Sequence, residues 1–389
     1  MRDGWVETSL GEIAEVIGGG TPSTTNPEYW DGDIVWLTPT EITSQDGKVV
    51  SDSIRKISNL GFQNSGAQML PRDSVILTSR ASVGYVALAG TDLCTNQGFQ
   101  SLIPKPSVLA KFLMFWIQQN KPEFESRSAG STFKEISKSN VKSIKLQLPP
   151  LPEQKRIVDL ISSVDSYVEA LQQQLESAKK SRNAVLHELL TAGGDDWIET
   201  TLDGIAEYIN GYPFKPADLG DVGLPVIRIK QLLDSNEPVD RTETDTPDRC
   251  LLRDGDIVFS WSGTLAVRIW NRGPAKLNQH LFRVVEKKNV YKGIIPLILD
   301  HAIEELEEKS HGTTMKHITK QTLLPHKVLL PPLPEQKRIV EIINTVDDVI
   351  AHTELTISKG KVLRSGLLSD LLSGEHEILA SYDKVMGAA

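Results

Sequence analysis

Eleven consecutive residues, Leu148–Val158 (LPPLPEQKRIV), occur a second time without change at Leu330–Val340. An identical run of that length, 182 positions further on, is not a product of composition. It marks a duplication, so whatever the chain builds it builds twice. Each copy opens a stretch of helical periodicity. Pro149, Pro150 and Pro152 keep the chain extended up to the helix start, and Pro152 suits the first helical position, whose N–H has no intrahelical acceptor. Glu153 then sits near the positive end of the helix dipole.

Beyond each copy the apolar residues step by four and three. In the first they are Ile157, Ile161, Val164, Val168, Leu171 and Leu175, continuing through Ala178 to Val185 and Leu189 with Arg182 as a break. In the second they are Ile339, Ile343, Val346, Ile350 and Ile357, then Leu367 and Leu371, with Thr353, Gly360 and Arg364 as weak points where the pair loosens. The stripe is narrow and flanked by Glu169, Gln172, Gln173, Glu176, Lys179 and Lys180, which suits a two-helix coil better than a helix lying on a globular core. The spacing predicts helices over 152–192 and 334–374, closed by Gly193-Gly194 and Gly374, each about 60 Å long. The natural partner of each helix is the other copy. An antiparallel pairing would put the two bodies at opposite ends of a pseudo-twofold arrangement.

The expected division is a body over 1–147, a helix over 148–194, a second body over 195–329, a second helix over 330–375 and a tail over 376–389. The bodies open alike, at Trp5-Val6-Glu7-Thr8-Ser9-Leu10 and Trp197-Ile198-Glu199-Thr200-Thr201-Leu202, and each opening runs to glycine, at Gly18-Gly19-Gly20 or Gly211. Short β-rich runs follow, among them Ile34–Leu37 with Pro225–Ile229 and Val75–Leu77 with Ile257–Phe259. After the latter pair, Ser79-Arg80 reads as the counterpart of Ser260-Trp261, and Asn96-Gln97 is echoed by Asn278-Gln279. Helical patterns cover Leu109–Gln119 and Ile294–Leu306. Each body therefore mixes strands and helices in α+β style, and the two differ most in loop-like stretches, 21–33 and 43–69 against 212–223 and 233–251. Trp5, Trp36 and Trp197 read as core residues.

The search for chemistry returns nothing. There is no GxxxxGK[ST] phosphate loop, no GxSxG and no HExxH. Asn26-Pro27-Glu28-Tyr29 only approaches the tetrapeptide of amino-methyltransferases, and Gly18–Ser23 lacks the strand–loop–helix setting of a phosphate cradle. The acidic pairs Asp31/Asp33 and Asp254/Asp256 lie in turn contexts, and His311 and His317 have no third ligand, so no catalytic or metal-binding residue is assigned. Cys94 and Cys250 do not match between the halves, which fits a reducing cytosol rather than a disulfide framework. No apolar run reaches membrane-span length, and the N-terminus carries no secretory pattern. The net charge of −9 argues against nucleic acid only weakly, since binding uses one face.

What remains is binding. Two similar but non-identical bodies on a fixed spacer suit two short sequences at a fixed separation, as duplex DNA offers. Candidate contacts in the first body are Thr21, Ser23, Ser79, Arg80, Ser82, Asn96, Gln97, Thr132 and Lys134. In the second they are Tyr212, Lys215, Arg228, Lys230, Ser260, Ser262, Asn278, Gln279, Thr314 and Lys316. Arg pairs with guanine edges and Asn or Gln with adenine, while Lys, Ser and Thr hold phosphates. The rival is a two-headed protein-binding scaffold using the coil as a strut.

The repeated LPPLPEQKRIV helix start, the Trp-x-Glu-Thr-x-Leu openings and the tandem bodies resemble the specificity subunits of type I restriction–modification systems, over essentially the whole chain. The Gly18–Ser23 loop followed by Tyr29-Trp30 resembles one subtype of their recognition domains. The resemblance implies two tandem target recognition domains, each reading half of a bipartite double-stranded DNA site, and two long helices paired as an antiparallel coiled coil that sets the spacing. It implies no catalysis in this chain. Its partners would be two modification subunits, which dock on the helices and methylate adenine with S-adenosylmethionine, and restriction subunits that translocate and cut DNA.

Overall fold

The computed structural model describes residues 4–130, 134–261, 263–309, 320–379 and 381–382. The chain divides into two compact units, one of Met1–Ala170 with Ile357–Ala389, the other of Leu171–Thr356. The long helices run Leu151–Thr191 and Leu333–Ser373. Each therefore gives its first half to the unit holding its own body and its second half to the other. Both start one residue earlier than expected, so Pro152 and Pro334 are second rather than first in their helices. That position is equally free of an intrahelical acceptor for its nitrogen.

In the first unit, Val6–Ser9 pairs antiparallel with Lys145–Leu148, which delivers the chain to the helix. A five-stranded sheet runs in the order Ala14–Gly18, Gln100–Pro104, Val75–Leu77, Val86–Ala89, Val49–Val50. A three-stranded sheet has Trp30–Leu37 between Lys56–Ile57 and Cys94–Thr95. The helix Ala110–Gln119 buries Phe112, Leu113, Met114, Phe115, Trp116 and Ile117. That core also holds Ile157 and Ile161 from one long helix, Leu368 and Leu371 from the other, and Ile378. The segment after the second helix is thus packed here as well, with Arg156 donating from Nη1 to the Ile378 carbonyl at 3.4 Å.

The second unit repeats the plan. Ile198–Thr201 pairs with Lys327–Leu330. One sheet runs Ala206–Asn210, Leu281–Glu286, Ile257–Ser260, Ala266–Ile269, and the other Arg241–Thr242, Leu224–Ile227, Ala275–Leu277, Leu251–Leu252. The helix Ile294–Lys309 packs with Ile339 and Ile343 of one long helix and Leu186 and Leu190 of the other. The strands Ala14–Gly18 and Ala206–Asn210 follow the short helices Leu10–Ile13 and Leu202–Ile205 directly, where the sequence predicts no strand. Trp5 and Trp36 are buried, whereas Trp197 is half-buried against its core.

The seam residues fall into two groups. Ile157, Ile161, Ile339 and Ile343 are fully buried because the first turns of each helix lie in a body's core. Val164, Leu171, Leu175, Val346 and Ile350 are half-buried, and Val168 and Ile357 are 7% exposed, as expected for a helix pair flanked by water. Within each unit the pair is antiparallel. In the first, Val168 lies against Gly360 and Asp165 against Arg364. In the second, Lys179 pairs with Glu354 and Arg182 with Asp347, each at 2.8 Å.

These contacts correct the reading of the seam's interruptions. Arg182 grips Asp347 with two parallel hydrogen bonds, from Nε at 2.8 Å and from Nη2 at 3.1 Å. Arg364 grips Asp165 in the same way. Arg182 and Arg364 are 182 apart, as are Asp165 and Asp347. One ion pair is thus written twice, each arginine reaching the opposite helix. Gly360 is likewise a point of close approach rather than loosening, because a Cβ there would lie 2.8 Å from Cγ2 of Val168.

The repeated stretch owes its role to one side chain. Gln154 is fully buried. Its Oε1 accepts from the Leu109 N–H at 2.8 Å, and its Nε2 donates to the Ser107 carbonyl at 3.1 Å and the Pro149 carbonyl at 2.8 Å. Gln336 does the same with Tyr291 N–H at 2.7 Å, Asn289 O at 3.2 Å and Pro331 O at 2.8 Å. The glutamine ties the long helix to the loop that opens the body's own helix. Near it, the Trp5 indole donates to Glu153 at 3.0 Å.

Candidate nucleic-acid interface

In the first unit, strand register gathers the candidate loops. Leu37 lies opposite Thr95 in a parallel pair, and Val35 opposite Lys56 in an antiparallel one. The chain leaving Leu37, the chain leaving Thr95 and the chain arriving at Lys56 therefore all stand at one end of this sheet. The glycine loop crosses the same end. A Cβ on Gly19 would lie 2.0 Å from the Asn96 carbonyl, so only glycine fits. Gly20 donates to the Thr95 carbonyl at 2.9 Å. Two indoles hold the loop from beneath, Trp36 donating to Gly20 O at 2.9 Å and Trp30 to Ser23 O at 3.1 Å.

This arrangement brings Thr21 onto the Gln97 side chain, to which its hydroxyl donates. The Asn96 carboxamide accepts from Gly98 N–H at 2.8 Å, fixing the turn that presents Gln97 to solvent. Next to it, Ser79 N–H donates to the Gly98 carbonyl at 2.8 Å. Arg80 is exposed and held by Glu135, its Nε at 3.0 Å and Nη2 at 2.9 Å from one carboxylate oxygen. Ser82 follows on the same turn, whose tip at Ala81 takes a φ of 64° and donates to the Lys134 carbonyl. Ser23, with its hydroxyl 2.8 Å from that of Thr25, is exposed, as is Lys134.

The second unit builds the same end. Ile227 lies opposite Leu277 in a parallel pair, and Pro225 opposite Arg241. Gly211 crosses as Gly19 does, with a Cβ there falling 2.3 Å from the Leu277 and Asn278 carbonyls. Tyr212 donates to Leu277 O at 2.7 Å and accepts from Gln279 N–H at 3.0 Å. Its ring meets Phe214 edge-on at 4.9 Å. Arg228 sits at the head of the short helix Ile229–Leu233 and pairs with Asp240 at 2.5 Å. Lys215, Lys230 and Gln279 are exposed.

Three sequence-based candidates leave the group. Ser79 and Ser260 are fully buried. The Ser260 hydroxyl is spent on the Thr264 carbonyl at 2.6 Å, as Thr78 spends its own on Ser82. Asn278 is 6% exposed and its Oδ1 accepts from His280 N–H at 3.3 Å, so it shapes the turn. The Thr78–Ser260 match also corrects the alignment of the halves. The 182-residue register runs through, so Trp261 corresponds to Ser79 rather than to Arg80. The left-handed turn residues agree, Asp73 with Gly255 and Ala81 with Gly263. Thr132, Ser262, Thr314 and Lys316, with His311 and His317, lie outside the described residues.

No cluster able to hold a metal ion occurs among the described residues. Burial pushes the Cys94 thiol up to about 12, which keeps it protonated and unreactive. No described helix is long and apolar enough to cross a membrane. Sequence reading missed Trp30, Glu135 and His280. Only the spacing of Trp30 behind the glycine loop hinted at its role.

The profile of the type I restriction modification DNA specificity domain matches residues 2–180 and again 194–359. The chain belongs to the family of type I restriction–modification specificity subunits. Among curated specificity subunits, that of the type I restriction enzyme MjaIX of Methanocaldococcus jannaschii is 26% identical, over 95% of this chain and 93% of its own length. The EcoKI specificity subunit of Escherichia coli is 24% identical over 99% and 95%. The fold is that of solved specificity subunits. A chain from a study of complex assembly and conformational transition in a type I system superposes with a TM-score of 0.67 at 19% identity, covering 96% of this chain and 98% of that one. The subunit from M. genitalium superposes at 0.54 with 16% identity, covering 96% and 97%. The two matched regions of this specificity subunit each contain one sheet-end loop cluster and the start of one long helix.

Proposed function

We propose that each body reads one half of a bipartite site in double-stranded DNA, the helix pair fixing how far apart the halves lie. The observation that carries this is the sheet-end platform, built twice on the same backbone plan with different side chains. One presents Thr21, Ser23, Arg80, Ser82, Asn96, Gln97 and Lys134, the other Tyr212, Lys215, Arg228, Lys230 and Gln279. Equal scaffolds with unequal hydrogen-bonding tips suit two different short sequences. The chain itself carries no chemistry in this reading. Two modification subunits dock on the long helices and use S-adenosylmethionine to methylate adenine, restriction subunits join them, and the complex works in the cytoplasm.

Methylome sequencing of cells with and without the gene tests this. A single bipartite motif should lose its methylation, and exchanging residues 1–147 for those of another specificity subunit should change one half of it. Binding that is sequence-blind and insensitive to salt would refute the DNA reading and favour a protein-binding scaffold.

A further inference from the structure

The loop that arrives at Lys56 holds Ile54, the most exposed large apolar residue among those described in the first body, with 88% of its surface in water. A lone exposed aliphatic needs no explanation, but this one is held in place by buried polar groups. Its N–H donates at 2.8 Å to Oε1 of Glu41, a carboxylate only 8% exposed, whose other oxygen caps the helix Pro39–Thr43. The Ser53 hydroxyl accepts from Trp36 N–H at 3.0 Å and donates to the Arg55 carbonyl at 2.7 Å. Arg55 then sits over Trp30, its Cζ 3.7 Å from the ring centroid, and Trp30 holds the glycine loop. A buried polar group is costly unless its hydrogen bonds are made, and here those bonds fix a solvent-facing isoleucine at the sheet end that also presents Gln97.

The second body repeats the device. Gln231, also 8% exposed, stands where Glu41 stands at the head of its helix. Its Nε2 donates to the Pro238 carbonyl at 2.6 Å, and Asp240 O accepts from Val226 N–H at 2.8 Å. Between them Val239 is exposed, at the sheet end that presents Gln279.

Resting on the DNA reading above, we infer that Ile54 and Val239 are base-reading contacts, each closing on the 5-methyl group of a thymine in the major groove. Thymine is the base whose major-groove edge sets a methyl beside a hydrogen-bond acceptor. A rigid aliphatic tip at the same sheet end as an amide and a guanidinium has the complementary chemistry. The pinned backbone removes the ordering cost that a mobile loop would bear on binding. Both loops lie in the stretches where the two bodies differ most in sequence, as expected of parts that set different specificities.

The test uses the full-length chain and duplexes carrying its site, with each thymine replaced in turn by deoxyuridine, which lacks only that methyl. For the unaltered chain, one substitution in each half-site should weaken binding about fourfold, the value of one buried methyl. Ile54→Ser should abolish the sensitivity in one half-site, Val239→Ser in the other, while Ile54→Leu keeps it. If no deoxyuridine position matters, or if Ile54→Ser leaves the sensitivity intact, the inference is overturned. Wild-type preference for the intact site over a scrambled duplex is scored in the same titration. Its presence keeps the DNA reading even where the methyl contact fails, and its absence removes both.

Discussion

Replacing Gln154 by Leu isolates what the joint contributes. The substitution keeps the side chain's bulk and removes its polar end. Leu109 N–H, Ser107 O and Pro149 O would each lose the partner that this fully buried side chain gives them; Ser107 is itself exposed, so its carbonyl can turn to water, whereas Leu109 is half-buried and Pro149 buried. An orphaned buried group costs about 1–3 kcal/mol, so the two groups that water reaches least bring the loss to about 2–4 kcal/mol. Because the chain holds two units, a single melting curve is the wrong assay. Hydrogen exchange read peptide by peptide is the right one. The Leu109 amide should lose protection by a factor of about 30 or more, while the second unit's Tyr291 amide stays as it was. Gln336→Leu should give the reverse, since it breaks the same three bonds 182 residues further on. A change below about 1 kcal/mol at Leu109, or unequal effects of the two variants on their own amides, would refute the clamp.

Three further outcomes follow from the helices. Arg182→Ala should loosen the second unit by about 1–2 kcal/mol, the scale of a half-exposed bidentate pair, and the exchange Arg182→Asp with Asp347→Arg should restore most of it; denaturant titration with exchange readout checks this. Burial raises the Asp300 carboxyl to about 6 from 3.8, with Arg182 opposing the shift. The folded form therefore holds this proton more tightly than the unfolded form, and stability falls as pH rises from about 4 to about 6 and stays lower above. Asp300→Asn should stabilise by about 2–3 kcal/mol at pH 7.5 and hardly at pH 4, measured as exchange protection at both. Deleting one heptad from each helix, 168–174 and 350–356, removes about 10 Å. The methylated half-sites should then lie about three base pairs closer; an active variant with unchanged spacing would show that the helix pair does not set it.

The duplication, the helices and their near-boundaries were legible because they depend on periodicity and on an exact repeat. The bodies' strands were legible where apolar runs were long, and not at Ala14–Gly18, where Glu15 and the glycine masked a paired strand. Arg182 and Arg364 looked like defects because the aspartate that answers each lies on the other helix, more than 160 residues away. Ser79 and Ser260 looked like contacts because a hydroxyl gives no sign of burial. The one-residue misalignment around Trp261 comes from matching Ser79 with Ser260 by letter. The structure aligns the left-handed backbone at Asp73 with that at Gly255 instead. Nothing in the letters around Ile54 marks it, since the carboxylate that holds it sits 13 residues upstream.

The joint glutamines reach three backbone groups each and not one side chain of the body. Ser107 and Leu109 in one body are Asn289 and Tyr291 in the other, and the bonds are the same. The fitting thus works like a standard coupling, indifferent to what is mounted on it. As far as these bonds go, any body that offers one N–H and one carbonyl at that spacing fits the same helix start, with Ile157 or Ile339 packing into its core beside them. Mutation or exchange can then remake what a body recognises while its mounting stays constant. That is why the eleven residues can be identical in the two halves while the bodies they carry have drifted apart.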